Sequence, residues 1–212
     1  WDLQVLDDNG RQAPAGEIGT LAAKLPLPPG TFPTLWNARQ RHFDSYLKQF
    51  EGYYNTSDAG IIDSDDYVFV MSRTDDIINV AGHRLSTGAM EEVLADHPAV
   101  AECAVTGVAD DLKGQVPMGF LVLSAGCEQA DDEIVAEAVA MVRDRIGPVA
   151  AFKQALVVKR LPKTRSGKIL RGTMRSIADG TPWKMPATID DPVILDEIDD
   201  ALQSIGYSKA RK

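Results

Sequence analysis

The chain has 212 residues, of which 44% are hydrophobic and 25% are charged, and its formal net charge is -9. This length suits one large domain or two small ones, and the composition is that of a globular protein with a packed core. The acidic balance argues against general nucleic-acid binding, and no apolar run approaches the ~18 residues of a membrane span. Cys103 and Cys127 lie outside any CxxC or Cys/His cluster, which predicts reduced thiols, no zinc site and a cytoplasmic protein.

The first third of the chain is predicted to be rich in β-structure. Strands are expected at residues 3–6 and 19–25, a helix at 37–50, and a hairpin at 60–73 with "DSDD" as its turn. The chain begins at Trp1 in a strand-like run without a methionine, so we expect it to be part of a longer polypeptide.

After Arg73 the pattern changes to alternating strands and helices. Strands are expected at 77–80, 100–108, 118–124 and 155–161, and helices at 87–97, 131–147, 168–180 and 192–206. Thr87 is the expected N-cap of the first of these helices. The pattern predicts an α+β fold in which a β-rich first part is followed by a second unit of about three strands with packed helices. The boundary is expected near Asp75–Asp76.

The segment "RLPKTRSGKILRGTMR" (160–175) contains six cations and no acidic residue. Residues 159–175 hold seven of the 22 cations, which leaves a formal charge of -16 on the rest of the chain. A Walker loop is excluded, because Pro162 stands where its first glycine belongs and Ile169 follows Lys168. Such a basic segment should attract a phosphate, a carboxylate or a nucleotide, although a solvated basic loop is the alternative.

Three further short motifs precede the basic segment. Asp58 lies in the small-residue stretch "YYNTSDAG", where a carboxylate can accept hydrogen bonds from a ribose, or can simply form an Asx turn. Arg73 ends an apolar strand, and "GHR" at 82–84 forms a tight turn. Each motif is a weak signal by itself, but their order and spacing together are informative.

In this order, "YNTSD", "RTDD", "AGHRLSTGAMEE" and "LPKTRSGKILR" resemble the motifs of AMP-forming acyl-CoA synthetases, which belong to the adenylate-forming superfamily. The resemblance covers essentially the whole chain. It is closest to the acetyl- and propionyl-CoA synthetase branch, and most like the propionyl-CoA synthetases. The sequence departs from the family at Ser57, where many members have glycine.

The resemblance implies two domains and an activity. Residues 1–74 would be the C-terminal part of the N-terminal adenylation domain, and residues 75–212 a mobile C-terminal domain that carries the catalytic lysine. The enzyme would ligate a short-chain carboxylate, propionate above all, to coenzyme A through an acyl-adenylate, releasing AMP and pyrophosphate. This chain alone would be inactive, because it lacks the phosphate loop and the acyl pocket of the family.

The resemblance also implies roles for individual residues. Lys168 would be the catalytic cation, since it would offset the repulsion between the carboxylate and the α-phosphate of ATP. Asp58 and Arg73 would bind the nucleotide ribose, and Arg84 would meet the nucleotide phosphate in the thioester-forming state. Relatives are switched off by acetylation of this lysine, so a lysine acetyltransferase and a deacetylase are expected partners.

The remaining assignments concern the hinge, coenzyme A and magnesium. Asp75 would be the hinge, Ala81 and Gly82 would line the pantetheine path, Arg143 would contact the coenzyme A phosphates, and His97 falls in a loop where relatives hold a magnesium ion. The expected cofactors are therefore ATP, coenzyme A and Mg²⁺. Three alternatives remain: an acetate-activating enzyme, another adenylating enzyme of the superfamily such as a peptide synthetase or a luciferase-like enzyme, or a non-catalytic anion-binding module. The tail after residue 186 resembles that of free-standing acyl-CoA synthetases.

Overall fold

The computed structural model describes residues 1–208, so the last four residues of the predicted tail lie outside the described part. The chain divides into two compact units, Trp1–Asp75 and Asp76–Lys212, and each has its own sheet. The functional roles predicted for the two parts, and the mobility of the second, stay predictions. Among the described residues, no helix has both the length and the apolar character needed to cross a membrane.

The first unit is built on a four-stranded antiparallel sheet whose strands follow one another in chain order. Its elements are β1 (Leu3–Leu6), β2 (Gly19–Lys24), α1 (Arg39–Tyr46), β3 (Tyr53–Ile62) and β4 (Val68–Arg73). Helix α1 is shorter than predicted. Phe50 leaves the helical path and is buried with Leu6 and Ala22 in the small core of this unit.

The second unit is built on a five-stranded mixed sheet. Its strands are β5 (Ile77–Val80), β6 (His83–Ser86), β7 (Val100–Asp110), β8 (Gly114–Leu123) and β9 (Gln154–Val157). Their order is β6-β5-β8-β7, and β9 pairs with β8 in parallel. The predicted α+β class is confirmed, but strand β6 was missed, because four residues that follow a glycine turn carry too weak a pattern to indicate a strand.

Helices cover both faces of this second sheet. They are α2 (Thr87–Ala95), α3 (Asp131–Arg145), α4 (Arg171–Ala178) and α5 (Ile194–Ser204). Side chains of α2 and α3 pack with Leu121 of β8 on one face, whereas side chains of α4 and α5 pack with Phe120 on the other. Adjacent residues of β8 thus point into separate cores, as the alternation of a strand requires.

Two helix starts differ from the prediction. Ser86, not Thr87, is the N-cap of α2, and Thr87 is buried inside the first turn with only 3% of its surface exposed. Helix α4 begins at Arg171 rather than at Lys168, because Ile169 forms an antiparallel bridge with Lys163 before the helix starts. The lysine of the Ser-Gly-Lys turn is therefore outside the helix.

Candidate active site

The basic segment forms a small hairpin that ends in Lys168. We call residues 164–168 the lysine loop. The Leu170 N–H donates to the Pro162 carbonyl at the base of the hairpin, at 2.9 Å. At the tip, the Thr164 N–H donates to the Lys168 carbonyl at 2.8 Å, and the Lys168 N–H donates to the Thr164 hydroxyl at 3.1 Å. Gly167 has φ 84°, which a residue with a side chain rarely adopts, so this turn depends on glycine.

A second strand-like segment supports the lysine loop from the side. Thr164 forms an antiparallel bridge with Ile189, and the Arg165 N–H donates to the Thr188 carbonyl at 2.9 Å. The Asp190 N–H donates in turn to the Lys163 carbonyl at 3.0 Å. The loop is therefore held by backbone hydrogen bonds on two sides, while the Lys168 side chain is exposed.

Most of the positive charge in the basic segment is neutralised locally. Of the seven cations in residues 159–175, four form ion pairs: Arg160 with Asp191 and Glu197, Lys163 with Glu102, Arg171 with Glu91, and Arg175 with Asp179. Within residues 1–208, the other three of the seven form no ion pair. They are Lys159, Arg165 and Lys168, and all three are exposed. The unpaired charge is thus much smaller than the sequence predicts, and two of its three residues lie in the lysine loop.

The Glu91 carboxylate is only 17% exposed and accepts three hydrogen bonds. It accepts from Arg171 Nε at 2.9 Å and Nη2 at 2.8 Å, and also from the Val105 N–H at 2.8 Å. Burial alone would lower the pKa of Arg171, but the hydrogen bonds and the charge of Glu91 outweigh burial and raise it. Cys103 donates to the Glu91 carbonyl at 3.3 Å; its burial, together with the charge of Glu91, raises the pKa of the thiol to about 11.

Asp58 and Arg73 are brought together in the first unit. They are direct cross-strand partners on β3 and β4, and Arg73 Nη1 lies 3.1 Å from Asp58 Oδ1. The same nitrogen is 3.4 Å from the Thr56 carbonyl. Both side chains are partly exposed, at 36% for Asp58 and 48% for Arg73, so their remaining polar atoms can reach a ligand.

Ser57, the departure from the family motif, has a left-handed backbone with φ 63°. This conformation favours glycine, which explains physically why a glycine is typical at this position. The turn is stabilised here by its neighbours, since the Ser57 N–H donates to Asn55 Oδ1 at 2.7 Å and the Thr74 hydroxyl donates to the Ser57 carbonyl at 3.3 Å.

Ala81 and Gly82 form the two-residue turn of the β5–β6 hairpin. Both have positive φ, 49° and 89°, which is the backbone of a type I′ turn. The Gly82 N–H donates to Asn79 Oδ1 at 3.0 Å, and the Ala81 N–H donates to the Lys113 carbonyl at 2.8 Å. A Cβ atom added at Gly82 would meet nothing within 4 Å, so the turn borders open space.

The lysine loop and the Ala81–Gly82 turn lie at opposite ends of one long hairpin. Lys163, at the base of the loop, binds Glu102 near the start of β7 through contacts of 2.7 Å. Ala81 instead contacts Lys113, in the turn that follows Asp110 at the end of β7. The eight residue steps from Glu102 to Asp110 span about 26 Å along the strand, so one small ligand cannot contact both ends at once.

The remaining predicted residues fall in three different surroundings. Arg84 is in β6, opposite Asn79, and is partly buried. Asp75 lies in the 3-10 turn Thr74–Asp76 and is the last residue of the first unit. Arg143 is exposed in the last turn of α3.

His97 is buried directly after helix α2. Only 3% of it is exposed, its Nε2 is 2.9 Å from Glu137 Oε2, and its Nδ1 accepts from the Ala99 N–H at 3.2 Å. Both ring nitrogens are thus engaged, and the magnesium role predicted for this loop stays a prediction. Residues 1–208 contain no group of three or more His, Cys, Asp or Glu that could hold a metal ion.

The fold of the chain matches that of a solved enzyme structure. The structure superimposes on the acetoacetyl-CoA synthetase of Streptomyces lividans with a TM-score of 0.81, over 97% of this chain and 31% of that one. The identity is 23%, so this likeness establishes the fold alone.

Sequence comparisons identify the family. Residues 89–168 match the AMP-binding enzyme C-terminal domain. The chain is 54% identical over 96% of its length to an uncharacterized protein of Pseudomonas aeruginosa, and 47% identical over 96% to the mitochondrial acyl-CoA synthetase short-chain family member 3 of Mus musculus. It spans about a third of these relatives, 32% and 30% of their lengths. The chain therefore contains the AMP-binding enzyme C-terminal domain, and over nearly all of its length it is similar to about a third of an acyl-CoA synthetase.

The acidic partners of the basic segment were not predicted from the sequence. Glu91 is visible in the motif "AGHRLSTGAMEE", but only as a glutamate on an amphipathic helix, and Glu102 is a polar residue within a strand. Their contacts with Arg171 and Lys163 join residues 80 and 61 positions apart. A pattern within one segment carries no signal for pairs at such separations.

Proposed function

We propose that the polypeptide containing this chain ligates a short-chain carboxylate, propionate in the first place, to coenzyme A. The reaction would use ATP, pass through an acyl-adenylate, and release AMP and pyrophosphate in the cytoplasm. The observation that carries this proposal is the lysine loop: Lys168 is exposed and forms no ion pair within residues 1–208, and it stands on a hydrogen-bonded hairpin while four neighbouring cations are neutralised.

Lys168 would act in the first step, in which the carboxylate attacks the α-phosphate of ATP. Both reactants are anions, and negative charge builds on the phosphate oxygens in the transition state. A cation held at this point lowers the barrier, and a preorganised one does so without reorganisation during the reaction. The backbone bonds at Thr164 support such preorganisation.

The Asp58–Arg73 pair would hold the nucleotide. A carboxylate can accept hydrogen bonds from both hydroxyls of a ribose, and the adjacent guanidinium fixes the orientation of that carboxylate. The 3.1 Å contact and the partial exposure of both groups support this assignment. Magnesium is proposed as the counter-ion of the ATP phosphates, and residues 1–208 contain no group of three or more His, Cys, Asp or Glu that could hold it by side chains alone.

The thioester-forming step would use the other end of the second unit. The thiol of coenzyme A would approach the acyl-adenylate past Ala81 and Gly82, with Arg84 facing the nucleotide phosphate and Arg143 the coenzyme A phosphates. Rotation about Asp75 would exchange the lysine loop for this turn. This proposal is supported by the distance of about 26 Å between the two ends of the β7–β8 hairpin. At that distance, the lysine loop and the Ala81–Gly82 turn cannot both reach the same substrate in one orientation of the second unit.

The test of the adenylation role compares Lys168→Ala with Arg165→Ala in the full-length protein. Arg165 is a matched control, because it is an exposed, unpaired cation of the same loop whose described hydrogen bond is made by its backbone. We expect Lys168→Ala to slow pyrophosphate exchange by about 10²–10³-fold, and to leave thioester formation from a supplied acyl-adenylate intact. Arg165→Ala should change either rate by less than about threefold.

The same experiment separates the proposal from its rival, an anion-binding module. Such a module would respond to total charge, so both substitutions would weaken anion binding equally. If Lys168→Ala adenylates propionate within about threefold of the unmodified protein, a change of only ~0.7 kcal/mol, Lys168 is not the catalytic cation.

The coenzyme A path is tested by comparing Gly82→Ala with Gly82→Leu. Both substitutions carry the same strain at φ 89°, and neither Cβ meets another atom, so only bulk distinguishes them. Gly82→Leu should reduce the thioester half-reaction well below that of Gly82→Ala, while pyrophosphate exchange is equal in the two. Equal rates of the thioester half-reaction in the two variants would show that the pantetheine path does not pass this turn.

Two finer parts of the proposal need the full-length protein. Propionate should exceed acetate in kcat/KM by about 10-fold or more, which is the lower end of what one methylene is worth in an apolar pocket. Enzymatic acetylation of Lys168 should abolish adenylation, because it removes the charge, and a deacetylase should restore it. Equal use of acetate would instead support the acetate-activating alternative.

A further inference from the structure

We propose that Glu91 and Arg171 are positioning residues that hold the lysine loop in its active geometry. We call this ion pair the α2–α4 clamp. The inference rests on the proposed role of Lys168. Both residues lie outside the loop, and their ion pair would determine the position of Lys168. Their loss should therefore impair adenylation but not thioester formation.

The clamp joins three elements through one carboxylate. Arg171 is the first residue of α4 and directs Nε and Nη2 to the two oxygens of Glu91, at 2.9 and 2.8 Å. Glu91 lies on α2, and its Oε1 also accepts from the Val105 N–H of β7 at 2.8 Å. A bidentate guanidinium–carboxylate contact fixes both distance and orientation, so the start of α4 is tied to the sheet and to α2.

The clamp is less exposed than the other ion pair at the base of the hairpin. Its side chains are 22% and 17% exposed, compared with 34% and 46% for Lys163 and Glu102. Exposed pairs contribute little, whereas a shielded, fully hydrogen-bonded pair is costly to break. The clamp is therefore expected to dominate the positioning, with the Lys163–Glu102 pair as a weaker second support.

Arg171 is connected to Lys168 by a short segment with little freedom. Of the two residues between them, Ile169 is bridged to Lys163, and Leu170 donates to Pro162 at 2.9 Å. A shift at Arg171 must therefore move the lysine loop. A displacement of about 1 Å in a catalytic group can cost about 10²-fold in rate.

The experiment measures both half-reactions of the full-length protein in Arg171→Met, Glu91→Gln and Arg171→Lys. Arg175→Met is the matched control, since Arg175 lies one turn further along α4 and pairs only with Asp179 of the same helical stretch. We expect Arg171→Met to slow pyrophosphate exchange by about 10–100-fold, and thioester formation from a supplied acyl-adenylate by less than about threefold. Arg171→Lys, which keeps the positive charge, and Glu91→Gln, which keeps the size of the side chain, should show intermediate losses.

Combining Arg171→Met with Lys168→Ala distinguishes the inference from the function on which it rests. If Arg171 acts through Lys168, the double variant is no slower in adenylation than Lys168→Ala. If Lys168→Ala is impaired but Arg171→Met is not, or if the two losses multiply, the clamp is not a positioning device although the proposed function stands. If Lys168→Ala is itself unimpaired, the proposed function fails, and the clamp inference fails with it.

A second measurement does not depend on enzymatic activity, so it can also be made on variants of low stability. In Arg171→Lys, amide hydrogen exchange should accelerate at Gly167 and Lys168, whose N–H groups bond to Thr164, and should be unchanged in the centre of β8. Unchanged exchange in the lysine loop, or equal acceleration throughout the second unit, would overturn the inference.

Discussion

The two units of the chain differ in how they bury apolar surface. In the second unit, helices cover both faces of the sheet, and Phe120 and Leu121 are fully buried on opposite sides. In the first unit, the edge strand β4 leaves Phe69 48% and Val70 65% exposed. The second unit thus has the properties of a self-contained fold, whereas the sheet of the first unit retains an apolar strand that its own residues do not cover.

The largest effect is expected when the two units are produced separately. Residues 76–208 should unfold in one cooperative thermal transition, because both of their cores are complete. Residues 1–75 should associate or remain partly unfolded, since an exposed apolar edge strand pairs with other chains. Circular dichroism and light scattering measure both outcomes.

A charged residue on the exposed strand provides the control. Val70→Lys in the 1–75 fragment should reduce association, because a lysine on an edge strand opposes pairing. A monomeric 1–75 fragment with a sharp thermal transition would contradict the proposed difference between the units.

The same comparison can be made with one phenylalanine from each unit. Phe120→Ala should lower the free energy of unfolding by about 3–5 kcal/mol, because it opens a cavity in a packed core. Phe69→Ala should change it by less than about 1 kcal/mol, because the side chain is already half exposed. Urea titrations of the chain give both values, and similar losses at the two sites would show that β4 is covered.

Burial in the second unit also raises the pKa of the Cys103 thiol. Burial raises the pKa of Cys103 from 9.0 to about 11, so the unreactive thiol form persists at pH 8 and alkylation in a Cys127→Ser variant should be slow. Because the folded-state pKa is raised, the stabilisation from this group is fully present below about pH 9 and is lost as the pH rises through about 11. Alkylation at pH 8 as fast as in urea-unfolded chain would contradict this.

The smallest effect concerns the strained turn of the first unit. Ser57→Gly should stabilise the chain by about 0.5–1 kcal/mol, because relief of a left-handed backbone worth about 1–2 kcal/mol exceeds the added chain entropy of glycine. Ser57→Ala is the control, since it keeps the strain and should give no gain. A loss of stability in Ser57→Gly would indicate that the Ser57 side chain contributes a contact that outweighs the strain.

Local patterns predicted much of the fold and of the candidate site. The apolar periodicity of α3, with acids at its start and arginines at its end, is a property of one segment, and the helix forms where it was expected. Strand β6 and the start of α4 were not predicted, because the pairing of His83–Ser86 with β5 and the bridge from Ile169 to Lys163 involve partners outside the segment.

The sequence by itself determined the family, the order of the motifs and the exposed lysine turn, because short motifs and charge runs are written in consecutive residues. Only the tertiary structure decided which cations of the basic segment form ion pairs, since Glu91 and Glu102 reach this segment from distant parts of the chain. It also decided that both ring nitrogens of His97 are engaged, and that the lysine loop and the Ala81–Gly82 turn stand at opposite ends of one hairpin. Electrostatic neutralisation and distance depend on three-dimensional proximity, which no single segment encodes.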